Sequence, residues 1–441
     1  MNQMILFSPV GGTDPISNTN ALDGSLLHIC RVYRPEKVIM YMSKEILANQ
    51  EKDDRYRYCL DRLALLQGRK MEYEIIERPE LTNVQEFDLF YQDFRKIIAG
   101  IADKMDISDT LLLNVSSGTP AMKSGLLVLQ TLGEFRGKLI QVVTPEGRMQ
   151  THDHKDYDVA ALWELNEDNQ EEFENRCREV QCPTLSAIKK EEIIKKHIAV
   201  YDYRAALSVC QTMLAGYAVE YLEPLQMADA RLLLDSAAVD KILKKNGFFK
   251  LPVQGGDGRI DFEYALILEV KLKRGEYADF IRAITPLIVD LFEMILKKRY
   301  RIDVNDYCSE KQKIRKWDMK KLMGTDILSK LETGYNGERF KSGPVSSDHL
   351  KILIEAYSKE AHLKNLVKEL REVEIHVRNL AAHEVVSIKD ETIRKLTGLT
   401  GNQIMNRIKD IFVYTGINVK PEYWNSYDDM NKKILEIMEK N

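Results

Sequence analysis

No uninterrupted apolar stretch approaches the roughly 20 residues that a membrane-spanning helix needs, so a helical membrane protein is not expected. The six cysteines (Cys30, Cys59, Cys177, Cys182, Cys210, Cys308) are scattered and form no CxxC pair. That spacing offers neither a disulfide framework nor a thiolate zinc site, and it fits reduced thiols in a cytoplasm. Met1-Asn2-Gln3-Met4 leads straight into a short apolar strand, without the long apolar core of a secretory signal. Positive charge is not in excess either. The net charge of −4 gives no global attraction to nucleic acid, so any RNA contact has to be a local basic patch. Two phosphate-binding signatures are also missing: no GxGxxG follows the first strand-like segment, and neither glycine-bearing loop contains GxxxxGKS/T. An NAD enzyme or an ordinary P-loop enzyme is therefore not expected. Internal repeats and low-complexity tracts are absent.

What is present is the composition of a globular protein, with 44% hydrophobic and 30% charged residues. A length of 441 residues exceeds one ordinary core and implies two or three domains. In the first part, strand-like Gln3–Val10, Lys37–Ser43, Met71–Ile76, Asp109–Val115 and Lys138–Thr144 alternate with helix-like segments. The latter are Ala21–Tyr33, the region around Asp53–Gln67, Val84–Lys104 and Pro120–Leu132. That alternation predicts βαβ units and a parallel sheet with helices on both faces, a Rossmann-like domain over 1–178. After Pro183 the apolar period becomes helical, in Leu185–Val200, Asp202–Ala215, Ala228–Asn246 and most of the chain from there to the C-terminus. Loops at Leu251–Gly258 and Gly334–Ser347 interrupt it. The fold class expected is α/β plus all-α, with a helical connector over 179–260 and a terminal helical domain over 261–441.

Ligands of an open α/β sheet sit beyond the carboxyl ends of its strands. Two loops there have suitable composition: Ser8-Pro9-Val10-Gly11-Gly12-Thr13-Asp14-Pro15, and Asn114-Val115-Ser116-Ser117-Gly118-Thr119-Pro120-Ala121-Met122-Lys123. Gly12 and Gly118 let backbone amides approach a ligand, and a following helix N-terminus favours phosphate. Ser116, Ser117 and Thr119 bring hydroxyls, and Lys123 brings charge one turn later. Ordinary βα turns that cap their helices explain the same composition.

An Arg followed within four to six residues by His occurs at Arg148–His154, Arg371–His376 and Arg378–His383. The last two lie seven residues apart on one helix-patterned segment, Leu363–Val385. Only Arg378 is followed by an amide, Asn379, and that amide stands four residues before His383, on the same helix face. An arginine can hold a phosphate and a histidine can move a proton near neutral pH, which is enough for RNA cleavage without a bound metal. A solvated surface helix is the alternative. Thr151–Tyr157 resembles the start of an HxHxDH metal motif, but Tyr157 stands where the last histidine belongs, which leaves His152 and His154 short of a catalytic zinc set. The basic run Lys311–Lys321 could touch RNA phosphates or simply be a solvated helix face, and Asp290 or Glu293 could orient an arginine.

Taken together, the Ser8–Pro15 loop, the Asn114-x-Ser-Ser-Gly-Thr-Pro segment and Arg378-Asn379-x-x-x-His383 resemble the CARF–HEPN accessory ribonucleases of type III CRISPR systems, Csm-type. The resemblance covers most of the chain. It implies a CARF domain binding a cyclic oligoadenylate and a HEPN domain cleaving single-stranded RNA without a metal or other cofactor. It further implies a homodimer in which two HEPN motifs form one site, with no membrane association. By that resemblance Arg378 positions the phosphate and the attacking hydroxyl, His383 acts on the leaving oxygen, and Asn379 orients them. Asp14, Asn114, Ser117 and Thr119 become ligand contacts, with Gly12, Thr13, Ser116 and Gly118 beside them. Thr119 is also the candidate for slow cleavage of the activator. The connector favours cyclic hexa-adenylate over the four-membered ring. A non-enzymatic ligand sensor with a partner-binding helical domain is the competing reading.

Overall fold

Met4–Pro9, the first strand (β1), is an apolar run buried almost throughout, as a strand covered on both faces must be. Residues 3–132, 135, 137–144, 157–213, 219–256, 258–311, 314–383 and 388–440 are described by a computed structural model, apart from the side chains of 219, 311 and 377–383. The chain forms two compact units, Met1–Lys189 and Lys190–Asn441.

In the first unit β1 is joined by β2 (Lys37–Ser43), β3 (Glu72–Arg78), β4 (Thr110–Asn114), β5 (Lys138–Val142) and β6 (Cys177–Val180), in the order β3-β2-β1-β4-β5-β6. The first five strands run parallel, with Ile5 opposite Lys37 on one side and Leu111 on the other. β6 departs from the parallel sheet expected: it closes the edge antiparallel to β5, Leu139 opposite Val180. Its sequence, Cys-Arg-Glu-Val, is short and polar, so no hydrophobic run betrayed it.

Side chains alternate across the strands. Leu6, Val38 and Met40 pack with helices α1 (Ser25–Tyr33) and α3 (Arg55–Leu66), while Phe7, Ile39 and Tyr41 pack with α4 (Phe87–Ala102) and α5 (Pro120–Thr131). Two helical boundaries differ from expectation. Helix α1 begins at Ser25 instead of Ala21, because Ala21 sits at φ 48° in a loop. A polar helix, α2 (Lys44–Asp53), precedes α3, and the two are separated by Asp54 at φ 54°. Helix α6 (Val159–Glu164) and a short 3-10 turn at Glu167–Asn169 follow.

Helix α7 (Pro183–Ala199) leads into the second unit, which holds α8 (Tyr203–Cys210), α9 (Val219–Leu232), α10 (Ser236–Asn246), α11 (Arg259–Lys273) and α12 (Tyr277–Tyr300). A hairpin of β7 (Cys308–Lys311) and β8 (Ile314–Trp317) comes next, with α13 (Met319–Leu322), α14 (Asp326–Gly334) and α15 (Ser347–Tyr357). The chain closes with α16 (Ala361–His383), α17 (Asp390–Thr397), α18 (Gly401–Phe412) and α19 (Ser426–Met438). One helix expected over Ala228–Asn246 is two: Leu234 takes φ 57°, and Asp235 caps α10 by accepting from the Ala238 amide. The Lys311–Lys321 run is a hairpin strand and a short helix, not a continuous helix face. Among the described residues no helix is long and apolar enough to cross a membrane.

Candidate functional site

Strand order reverses between β1 and β4, and there the carboxyl ends of the strands open into a cavity of about 740 Å³. Gly12 and Val10 line it from the β1 loop, and Gly118, Thr119 and Pro120 from the β4 loop. The remaining wall comes from segments the sequence did not single out: Ser43, Lys44 and Glu45 after β2, and Leu81, Thr82 and Val84 after β3. Those segments contain no glycine or Ser-Gly-Thr cluster. The open-sheet rule applied to every strand end, instead of only the glycine-bearing ones, would have found them.

The eight loop candidates divide into two groups. Asp14 is 1% exposed and fully engaged: Oδ2 accepts from the Gly11 amide at 3.1 Å and from the Ser117 hydroxyl, and Oδ1 accepts from the Leu26 amide at 2.9 Å. Burial raises its pKa, while Ser117 and those amides oppose the rise. Asn114 is likewise buried; Nδ2 donates to the hydroxyls of Ser8 and Ser25, and Oδ1 accepts from the amides of Ser116 and Ser117. The Ser116 hydroxyl accepts from the Val142 amide at 2.6 Å, tying the β4 loop to β5. These four residues hold the two loops to each other and to the sheet. Gly12, Thr13, Gly118 and Thr119 are half-buried, and all but Thr13 line the cavity. The Thr119 hydroxyl caps α5 by accepting from the Met122 amide. Lys123 lies close enough to Asp14 to feel its charge, although burial lowers the pKa of its ammonium overall.

Close packing makes the loops intolerant of side chains. Gly118 sits at φ 83°, and a Cβ there would lie 2.8 Å from Met122 Sδ and 3.0 Å from Pro9 Cβ. Gly118→Ala is expected to lower stability by about 1–2 kcal/mol from backbone strain alone, measured as a shift in denaturant midpoint. A midpoint equal to wild type would refute the strain argument.

A second polar group lies beneath the sheet. Arg31 grips Asp23 through two hydrogen bonds, and Arg176 donates to Asp168 at 2.6 Å and to the Asp23 carbonyl at 3.2 Å. Asp23, His28 and Asp168 cluster tightly enough to suggest metal ligands. Two guanidinium groups already neutralise these carboxylates, however, and the Arg176 amide donates to His28 Nε2. The group therefore serves as a structural anchor of the 3-10 turn and β6 onto α1.

In the second unit, α16 provides the backbone on which Arg371, His376, Arg378, Asn379 and His383 all lie. The side chains of Arg378, Asn379 and His383 lie outside the described residues, as do Arg148, His152 and His154. Arg371 is engaged: Nη1 donates to Glu374 at 3.0 Å and to the Ser347 hydroxyl at 3.1 Å, and its guanidinium also lies 3.5 Å from Asp348. His376 is exposed. Glu293, a candidate orienting acid, pairs instead with Arg315 of β8, while Asp290 is exposed.

Burial favours the neutral form of His349. Its Nδ1 accepts from Trp317 Nε1 at 3.0 Å inside a box of Trp317, Tyr335 and Phe340, and burial depresses its pKa below the ordinary 6.5. A base whose folded pKa is depressed contributes stability that is complete above its unfolded value and falls as pH drops below it. In unfolding followed by tryptophan fluorescence, the His349 contribution to stability is thus expected to decline below about pH 6.5. His349→Gln is expected to flatten that decline, and an unchanged slope would rule His349 out as its source.

Comparison with known proteins bears on both units. The family descriptions Cas_Csm6 CARF domain, Csm6 6H domain and Cas_Csm6 HEPN domain match residues 72–177, 180–232 and 250–435. The CRISPR system endoribonuclease Csm6 of Mycobacterium tuberculosis is 30% identical over 98% of both chains. The CRISPR system endoribonuclease Csm6′ of Streptococcus thermophilus is 26% identical over 98% of both. In fold, the chain matches a solved structure of Enterococcus italicus Csm6 bound to cyclic hexa-2′-fluoro-hexa-dAMP, with a TM-score of 0.69, 19% identity, and coverage of 99% of this chain and 100% of that one. Full-length similarity at this identity, with CARF, 6H and HEPN matches in sequence, establishes that the chain belongs to the Csm6 family of CARF–HEPN proteins.

Proposed function

We propose that this protein is an endoribonuclease that cleaves single-stranded RNA without a metal ion when a cyclic oligoadenylate occupies the cavity above β1 and β4. The reading rests chiefly on one conjunction: a switch-point cavity in one unit and Arg378-Asn379-x-x-x-His383 on α16 of the other. The names of the Csm6 relatives support the activity, and the ligand of the Enterococcus italicus structure supports a six-membered ring. The chain acts as a cytoplasmic homodimer, arranged as CARF domain (1–178), connector (179–260) and HEPN domain (261–441).

In the cleavage step the ribose 2′-hydroxyl loses its proton to solvent and its oxygen bonds to phosphorus while the bond to the 5′-oxygen breaks. Arg378 binds the phosphate oxygens that gain charge, His383 transfers a proton to the departing oxygen, and Asn379 orients the two. In the cavity, Gly12, Gly118 and Thr119 meet the ring, with Thr13 next to them in the β1 loop. Asp14, Asn114, Ser116 and Ser117 hold the loops in the shape that receives it. The Thr119 hydroxyl assists slow breakdown of the activator, as the resemblance to the family implies. A fluorogenic RNA assay in EDTA, with and without cyclic hexa-adenylate, tests the reading. Cleavage that depends on the ring and persists in EDTA is expected. Cleavage abolished by EDTA, or indifferent to the ring, would overturn it.

A further inference from the structure

Ser43 ends β2, and the contacts of the β1 and β4 loops leave three features around it unexplained. Ser43 is only 6% exposed, yet it lines the cavity and its hydroxyl has no hydrogen-bond partner among the described residues. It stands at the N-cap of α2 but does not cap it, so the first-turn amides of this ten-residue helix lack a side-chain acceptor. The next residue, Lys44, is exposed, lines the same cavity and is paired with no acid among the described residues. The hydroxyl oxygen is not sealed off like the buried unpartnered atoms elsewhere in the described residues, so it is open to a group entering the cavity. The other helices opening near this cavity differ: Asp14 occupies the N-terminus of α1 through the Leu26 amide, and Thr119 caps α5.

We propose that Ser43, Lys44 and the first turn of α2 form an outer subsite for one phosphodiester of the cyclic oligoadenylate. The proposal rests on the activator reading and deepens it. A helix N-terminus with a hydroxyl and an ammonium beside it supplies directed N–H and O–H donors and favourable charge for a phosphate oxygen. Glu45, in the same wall, disfavours a doubly charged phosphomonoester more than a singly charged diester. Leu81 and Val84 across the cavity provide an apolar wall for the attached base. Because β1 lies between β2 and β4, the α2 end stands two strand spacings, roughly 10 Å, from the β4 loop. A single phosphate cannot touch both places, whereas linked nucleotides can, and a larger ring reaches the outer position more readily than a smaller one. The subsite is therefore a ring-size determinant.

The test is equilibrium binding of full-length protein to the ring of six 2′-fluoro adenylates, which lacks the hydroxyl needed for self-cleavage, and to cyclic tetra-adenylate. Ser43→Ala and Lys44→Gln are each expected to weaken binding of the six-membered ring about tenfold, as loss of a bond to a charged group does, and to affect the smaller ring less. The thermal midpoint of Ser43→Ala is expected to stay at the wild-type value, because the hydroxyl it removes has no partner in the protein. Unchanged six-ring affinity in both variants would overturn the subsite while leaving the activator reading intact. Equal losses for both rings would overturn its role in ring size. Failure of the wild-type protein to bind either ring would overturn the activator reading and the subsite with it.

Discussion

His383→Ala is expected to lower ring-activated RNA cleavage by between about 100-fold and 10,000-fold, the usual contribution of a positioned acid or base. Arg378→Ala should cause a comparable loss. Arg378→Lys should recover only part of it, because an ammonium lacks the planar fork that grips two phosphate oxygens. Initial rates on a fluorogenic RNA with saturating activator provide the measurement. Full activity in His383→Ala would remove this helix from the chemistry.

The neighbouring match to the same loose pattern supplies the control. Arg371 is bound to Glu374, Ser347 and Asp348, and Glu374 is 2% exposed. Arg371→Ala strands that buried carboxylate and is expected to cost about 3 kcal/mol of stability, the lower end for breaking a buried pair because Ser347 still donates to it. His376 is exposed, and His376→Ala should leave both rate and midpoint at wild-type values. Two arginines two turns apart on one helix thus have separate signatures, one in rate and one in stability. If His376→Ala lost activity as fully as His383→Ala, the distinction drawn from the buried network around Arg371 would collapse.

Three of the parallel strands, β1, β2 and β4, were legible as apolar runs and stand where their valines, isoleucines and leucines require. β6 was not, since an edge strand of Cys-Arg-Glu-Val buries too little to need apolar residues. Helix α2, with Lys, Glu, Asn and Gln at most positions, was hidden for the same reason. Within the cavity the sequence exposes residue types but not who satisfies them. Asp14, Asn114 and Ser117 stand out as polar groups in a glycine-bearing loop, yet their hydrogen bonds run to one another and to backbone amides. Ser43 is ordinary in sequence and differs from them only in lacking a partner, which becomes visible once the fold brings the ends of β1, β2 and β4 side by side. The Arg378–His383 reading rests on residue types at helical spacing, and the structure describes the continuous helical backbone of α16 that carries them.

Glu263→Ala is expected to be strongly destabilising in the helical unit. Arg231 of α9 is 2% exposed, donates to both Glu263 oxygens at 2.7 and 3.0 Å and to the Ser426 hydroxyl at 2.8 Å, and lies 4.2 Å from the Tyr427 ring. This one side chain therefore ties α9 to α11 and α19 inside a single compact unit. Removing Glu263 leaves a guanidinium buried with only the neutral acceptors of Ser426 and Met430 nearby, at a cost of roughly 3–5 kcal/mol. Against a total stability of about 5–15 kcal/mol, that loss should lower the unfolding midpoint by roughly 10 °C and reduce the folded fraction at working temperature. Glu360→Ala is the matched control: its partner Arg299 is 37% exposed, and a surface pair of that kind contributes about 0–1 kcal/mol. Calorimetry on the two variants separates a fold held by one buried ion pair from one held by apolar packing alone. Equal midpoints would mean that the apolar core around Phe262, Phe412 and Trp424 secures α9 without the Arg231–Glu263 pair.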